Sequence, residues 1–260
     1  TLMGYLSHPK VRHVMMLKHG CEITHNSYFR QLMAERDLDP ANFGWASIQL
    51  DGGIDAVTHK MVDWFKGKLA NDSLPEKTIA GFEAVRIGLI TNGDVSDNTA
   101  QEFATLTKMI VSGGGTVVVS DKDTLLSTSY IDALGLSGVP SASLDYGQTI
   151  HEAGFHIMAT PRQHWSETLT GLGATGIELM VAHVANQAMA GHPLVPVLQV
   201  TTNADNQALD LDAKFSDNSN LQDRLLDLLV DTLSGNHTPK HQQMNNHDFQ
   251  ITRGLMGVSF

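Results

Sequence analysis

AVRIGLITNGDVSDNTAQEFATLTKMIVSGGGTVVVSD, residues 84–121, decides the fold. AVRIGLITN and TVVVSD are short apolar, β-branched runs of strand length, and SDNTAQEFATLTKMIVSGG between them reads as a helix. Ser96 or Asp97 suits the helix N-cap, and the glycines of GGGT at 113–116 end the helix rather than hold phosphate. A strand, a helix and a second strand in this order form a parallel crossover unit.

Working outward, the same alternation recurs. Upstream, VRHVMMLKHG and WASIQL read as strands, each followed by a helix: SYFRQLMAERD, then GIDAVTHKMVDWFKGKLA, whose apolar residues recur at three and four. Downstream come a helix (DTLLSTSYIDALG), a turn-rich stretch (LSGVPSASLDYGQTIHEAG), a strand (GFHIMATP) and a helix (HWSETLTGLGATG). IELMVAH and VPVLQVTTN follow as strands and NLQDRLLDLLVDTLSG as a helix. The tail from Gly235 reads as an exposed polar connection, with DFQITRGLMGV as a late strand or edge segment. The expected fold is α/β, Rossmann- or flavodoxin-like, with parallel sheet covered by helices on both faces. The loop near residues 71–82 divides it into two α/β halves, 1–80 and 81–260, the second carrying the tail.

Composition narrows the function classes. A formal net charge of −11, with no stripe of Lys or Arg, argues against nucleic acid, which needs a basic footprint. A small anionic substrate requires only local positive groups and stays open. A single cysteine excludes an intramolecular disulfide and fits a reducing, cytoplasmic setting. No apolar run approaches the length of a membrane span.

Ligands of open α/β sheets bind outside the carboxyl ends of the strands. The loops there are KHGCEITHN, QLDGG, TNGDVSDN, VSDKD, ATPRQHW, AHVANQAMAGHP and QVTTNAD, most of them carrying Asp, Asn, His, Ser or Thr. In the first, Cys21 with His19, Glu22 and His25 is a thiolate-plus-imidazole set suited to iron or zinc. Alternatively Cys21 is a nucleophile at a helix start. On spacing alone the leading reading is a plain turn with Asn26 as helix cap.

Asp51 beside Gly52 and Gly53 offers backbone amides to an anion or is simply a tight turn. Asp94, Ser96 and Asp97 supply paired acids for a hard cation such as Mg²⁺, or a cap. His183 and His192 flank one Gly/Ala-rich loop, and His164 and Trp165 open a helix. Neither GxGxxG nor GxxxxGK[ST] occurs in these loops, so a nucleotide fingerprint is missing.

Taken in order, HGCEITHN, FGWASIQLDGG, GLITNGDVSDNTAQ, GGTVVVSD, GFHIMATP, TLTGLGATG and GHPLVPVLQVTTN resemble the carboxy-terminal part of the altronate/galactarate dehydratase family. The likeness spans nearly the whole chain. GCE at 20–22 and Asn26 carry over best. Two loops depart: NGDVSD at 92–97 stands where the family has CGGSD, and AHVANQAMAGHP stands near its TGRGTP.

The resemblance implies a lyase that removes water from a sugar acid to give a 2-keto-3-deoxy acid. It further implies a divalent metal, Fe²⁺ first and Mn²⁺ or Mg²⁺ next, and an amino-terminal domain or subunit beyond this chain. On that basis Cys21 with His19 or His25 becomes the expected metal set. Asp51, Asp97, His183 and His192 form the pool for acid–base catalysis. Asn26, Gly52, Gly53, Asn92 and Ser96 are expected to contact substrate. A non-catalytic scaffold or substrate-binding part that needs a partner is the alternative, and homo-oligomerisation stays open.

Overall fold

The computed structural model describes residues 1–20, 26–73, 76, 78–215 and 221–252 of the chain. Among the described residues two compact units emerge: 11–79, and 1–10 together with 80–252.

The larger unit contains a six-stranded, all-parallel sheet. For numbering, α1 (Leu2–Leu6) belongs here, while β1 (Met15–Lys18), α2 (Asn26–Ala34), β2 (Gly44–Ser47) and α3 (Ile54–Leu69) make up the smaller unit. The larger sheet comprises β3 (Arg86–Asn92), β4 (Thr116–Ser120), β5 (Gly154–Met158), β6 (Leu179–Val184), β7 (Val197–Thr201) and β8 (Ala213–Lys214). Its helices are α4 (Asp97–Ser112), α5 (Thr128–Leu134), α6 (Trp165–Ala174), α7 (Leu221–Leu233) and the short α8 (Lys240–Gln243).

The strand order is β5-β4-β3-β6-β7-β8. The chain starts in the middle, steps outward twice, then crosses back to lay β6 on the other side of β3. This is the order of the doubly wound Rossmann sheet, with its switch point between β3 and β6. The expected α/β architecture is therefore present, with a second, two-stranded parallel sheet of β1 and β2 in the smaller unit.

Alternation along the strands sorts the core into two layers. Ile87 and Leu89 of β3, Val117 and Val119 of β4 and Val181 of β6 pack with Phe103, Leu106 and Ile110 of α4, Tyr130 of α5 and Leu225 and Leu229 of α7. Ile90, Val118, Met180 and Ala182 point to the other layer and meet Leu169 and Leu172 of α6. All five residues of β4 are buried, as are all six of β6. Strands covered on both faces read as continuous apolar runs, which is why this sheet was visible in the sequence.

Three segments differ from expectation in whole or in part. The helix expected from Asp123 starts only at Thr128, because Asp123 turns the chain with its own carboxylate and Ser127 then caps α5. The tail from Gly235 is exposed over most of its described residues, as expected, yet specific bonds fasten it. His241 is fully buried and accepts from the Val197 amide (3.0 Å), Asn246 donates to Asp210 (2.6 Å), and Ser166 donates to Asp248 (2.6 Å). These partners are polar and distant in sequence, so no hydrophobic period betrays them. The expected late strand is absent over Asp248–Thr252, while the rest of it lies outside the described residues.

Candidate functional site

The carboxyl ends of β3 and β4 and the start of α6 border a cavity of about 240 Å³. It lies on the rim where doubly wound sheets bind their ligands. Thr91, Asn92 and Gly93 come from the end of β3, Ser120, Lys122, Asp123 and Thr124 from the end of β4, and Gln163, His164, Trp165 and Thr168 from the start of α6. Gly93 turns the chain at the mouth with φ +90°, and a Cβ there would approach that of Ala185 to 2.8 Å.

Asp123 ties two of these walls together. Its Oδ2 accepts from the Thr91 amide (2.9 Å), and its Oδ1 accepts from the Thr91 hydroxyl (2.6 Å) and the Leu125 amide (2.9 Å). Burial pushes its carboxyl up to about 6, with the bonds from Thr91 and Leu125 opposing the rise. Lys122 directs its ammonium to the carbonyls of Thr160 and Pro161. His164 caps α6 by accepting from the Glu167 amide at Nδ1 (3.4 Å), and Trp165 donates to Ala190 O (2.7 Å). Arg162 pairs with the buried Glu167 (3.1 Å), so its guanidinium is already committed to a carboxylate.

Of the residues expected from sequence, Asn92 lines this cavity. Ser96 caps α4 by accepting from the Thr99 amide (3.2 Å). A chain of polar groups then runs from the Ser96 hydroxyl to that of Thr99 (2.9 Å), on to Thr202 (3.4 Å) and to His183 Nε2 (3.1 Å). The structure thus joins Ser96 to His183 through two threonines, across the switch point between β3 and β6. His183 is buried edge-on to Phe103, and burial lowers its pKa to about 4. Asp97 opens α4 and accepts from Ser129.

His192 occupies a different environment. Its Nδ1 accepts from the amides of Leu194 (3.1 Å) and Val195 (2.9 Å). That leaves Nε2 to carry the proton and donate to the Tyr5 oxygen (2.8 Å), while the Tyr5 hydroxyl donates to Thr170 O (2.8 Å). Every polar atom of this neutral ring is used, and burial lowers its pKa to about 4.

Asp51, Gly52, Gly53, His19 and Asn26 belong to the smaller unit. Asp51 Oδ2 accepts from the Ser47 amide and from Lys60 Nζ, both at 2.8 Å, and these bonds hold its pKa below the usual carboxylate value, Lys60 contributing most. Gly52 and Gly53 carry φ of +91° and +93°, which serves the turn into α3. Asn26 begins α2. His19 offers its carbonyl to the Gln49 amide (3.0 Å), which places the loop after β1 beside the loop after β2. Cys21 and His25 lie outside the described residues. Among the described residues, no three His, Cys, Asp or Glu side chains come together to hold a metal ion.

Asp123, Lys122 and Thr91 are cavity residues that the sequence did not single out for chemistry, although their loops were on the rim, while His164 had been read as opening a helix. VSDKD was a visible signal for Asp123, but nothing in it said that the carboxylate would be bonded back to β3.

Residues 136–256 match the family model described as D-galactarate/Altronate dehydratase, C-terminal. No curated protein matches the chain at a significant level. The match begins before β5 and covers α6, β6 and β7, so it includes Gln163, His164, Trp165 and Thr168 of the cavity wall. Among the described residues, no helix is long and apolar enough to cross a membrane.

Proposed function

We propose that this chain handles a sugar acid and removes water from it, giving a 2-keto-3-deoxy acid. The family match over residues 136–256 carries this reading, and the polar cavity on the same sheet's carboxyl rim supports it. Hydroxyl, amide and imidazole groups from Thr91, Asn92, Ser120, Gln163 and His164 suit a polyhydroxylated carboxylic acid.

Such a dehydration removes a proton next to a carboxylate and expels the neighbouring hydroxyl. The proton is weakly acidic, so the enediolate that forms must be stabilised electrostatically. A divalent cation, Fe²⁺ ahead of Mn²⁺ or Mg²⁺, is a Lewis acid able to do this. Cys21 with His19 or His25 remains the proposed set to hold it. Anaerobic titration of the chain and its Cys21→Ser variant with Fe²⁺ reads that binding without any turnover. Stoichiometric binding lost in the variant supports the assignment, and equal binding by both contradicts it.

The family's description as a C-terminal part favours a second reading, in which this chain supplies the substrate pocket and another segment completes the enzyme. Incubating the chain with D-galactarate and D-altronate, and following 2-keto-3-deoxy acid formation, separates the two. Product from this chain with cation alone supports the first. Sugar-acid binding without product supports the second, and neither binding nor product removes both.

A further inference from the structure

We propose that Asp123 is the proton-transfer residue of the cavity, taking the proton from the carbon beside the substrate's carboxylate. The assignment rests on the sugar-acid reading above. It starts from an inventory of the titratable groups on the cavity wall, which are Lys122, Asp123 and His164. Lys122 donates to two backbone carbonyls. His164 spends Nδ1 on the first turn of α6, which leaves its neutral ring only a donor at Nε2. Neither can accept a proton from a ligand without giving up a structural bond.

Asp123 can. A carboxylate offers about four acceptor positions. Three are filled, two on Oδ1 and one on Oδ2, so Oδ2 keeps a free lone pair. Bonds from Thr91 at the end of β3 and from Leu125 in its own loop hold the group still, so no side-chain reorganisation precedes proton transfer.

Its surroundings also suit a base. The charged or titratable groups around it are Lys122 and Asp121 in its own loop, His164 across the cavity, and Tyr130 on α5. Asp121 is occupied by the Thr160 amide, and burial keeps the Tyr130 hydroxyl protonated. With its pKa raised by burial, Asp123 is ionised at neutral pH yet more basic than a solvated carboxylate.

The step balances without a redox partner. The C–H electrons move into the enediolate, and Asp123 Oδ2 receives the proton. The carboxylic acid then returns that proton to the β-hydroxyl, whose C–O bond breaks as water leaves. The resulting enol tautomerises to the 2-keto acid in solvent.

Galactarate in D₂O, with the wild-type chain and added divalent cation, is the probe. Binding is read by calorimetry and exchange at the carbon next to the carboxylate by proton NMR. Asp123→Asn is expected to bind galactarate within a few-fold of wild type and to lose exchange and turnover by about 10²-fold or more. Thr91→Val keeps the carboxylate but removes a donor to its charged form, so the acid limb of the rate profile, near pH 6, should move upward. This shift tests the assignment even if Asp123→Asn fails to fold. An unmoved limb in Thr91→Val, or wild-type rates in Asp123→Asn, would overturn the role of Asp123 and leave the lyase reading intact. A wild-type chain that binds no galactarate and exchanges no proton would overturn both.

Discussion

Two polar regions of the larger unit look alike in sequence and behave differently in structure. Around Tyr5, His192 and His241, histidines sit fully buried and hydrogen-bonded to backbone amides of the chain itself. Around Asp123 the polar groups border a cavity, and a carboxylate oxygen still has capacity to accept. A polar residue at a strand end therefore signals function only when its bonding capacity is not consumed at home. His192 and Asp123 both lie in loops that leave the carboxyl ends of strands, β6 and β4, and of the two it is Asp123 that lines the cavity.

The contrast can be broken in several ways. The largest effect expected is the loss of turnover in Asp123→Asn described above. Next in size is His192→Ala, which strands the amides of Leu194 and Val195 and removes the donor to the Tyr5 oxygen. Each orphaned buried group costs about 1–3 kcal/mol, so urea denaturation should show a loss of roughly 3–5 kcal/mol. A variant as stable as wild type would show that this region is not the closed structural network described.

Acidification probes both regions with opposite signs. His183, His192 and His241 have pKa values lowered to about 4 by burial, so between about pH 6.5 and 4 the unfolded chain takes up protons there that the folded chain does not. Stability contributed by the neutral rings is full above pH 6.5 and falls as the pH drops through this window. Asp123 works the other way: its raised carboxyl pKa favours the folded state as pH falls from about 6 toward 3.8. Three groups outweigh one, at about 1.4 kcal/mol per pKa unit, so the urea midpoint should fall between pH 7 and 4.5. A flat profile would mean that the histidines are not held neutral.

A smaller effect is expected at the tail. Ser166→Ala removes the donor to Asp248 and should cost about 1–2 kcal/mol. Hydrogen exchange over residues 246–250 should rise with it, and unchanged protection would show that this bond does not fasten the tail.

The fold was readable because its strands are continuous apolar runs separated by helical periods, as in RIGLITN, TVVVS and LMVAHV. The rim loops were readable by the rule that ligands gather at carboxyl ends, and TNGDVSDN, VSDKD and ATPRQHW do supply the cavity wall. What sequence could not supply was pairing. That Thr91 binds Asp123 across 32 positions, or Ser166 binds Asp248 across 82, leaves no periodic trace. His183 and Ser96 were each legible as polar residues near strand ends, but the two threonines linking them were not. Helix α1 and the two-residue β8 are too short to show a period. Asn92, one of the expected substrate contacts, does line the cavity, whereas Gly93 beside it was not singled out.

The central claim is that the cavity between the ends of β3 and β4 and the start of α6 receives the sugar acid. Titrating the ¹⁵N-labelled chain with galactarate and following the backbone amide signals tests it most directly. Saturable shifts centred on Thr91–Gly93, Ser120–Thr124 and Gln163–Trp165 are the predicted result. Saturable shifts confined to other residues, or none at millimolar galactarate, would contradict the account.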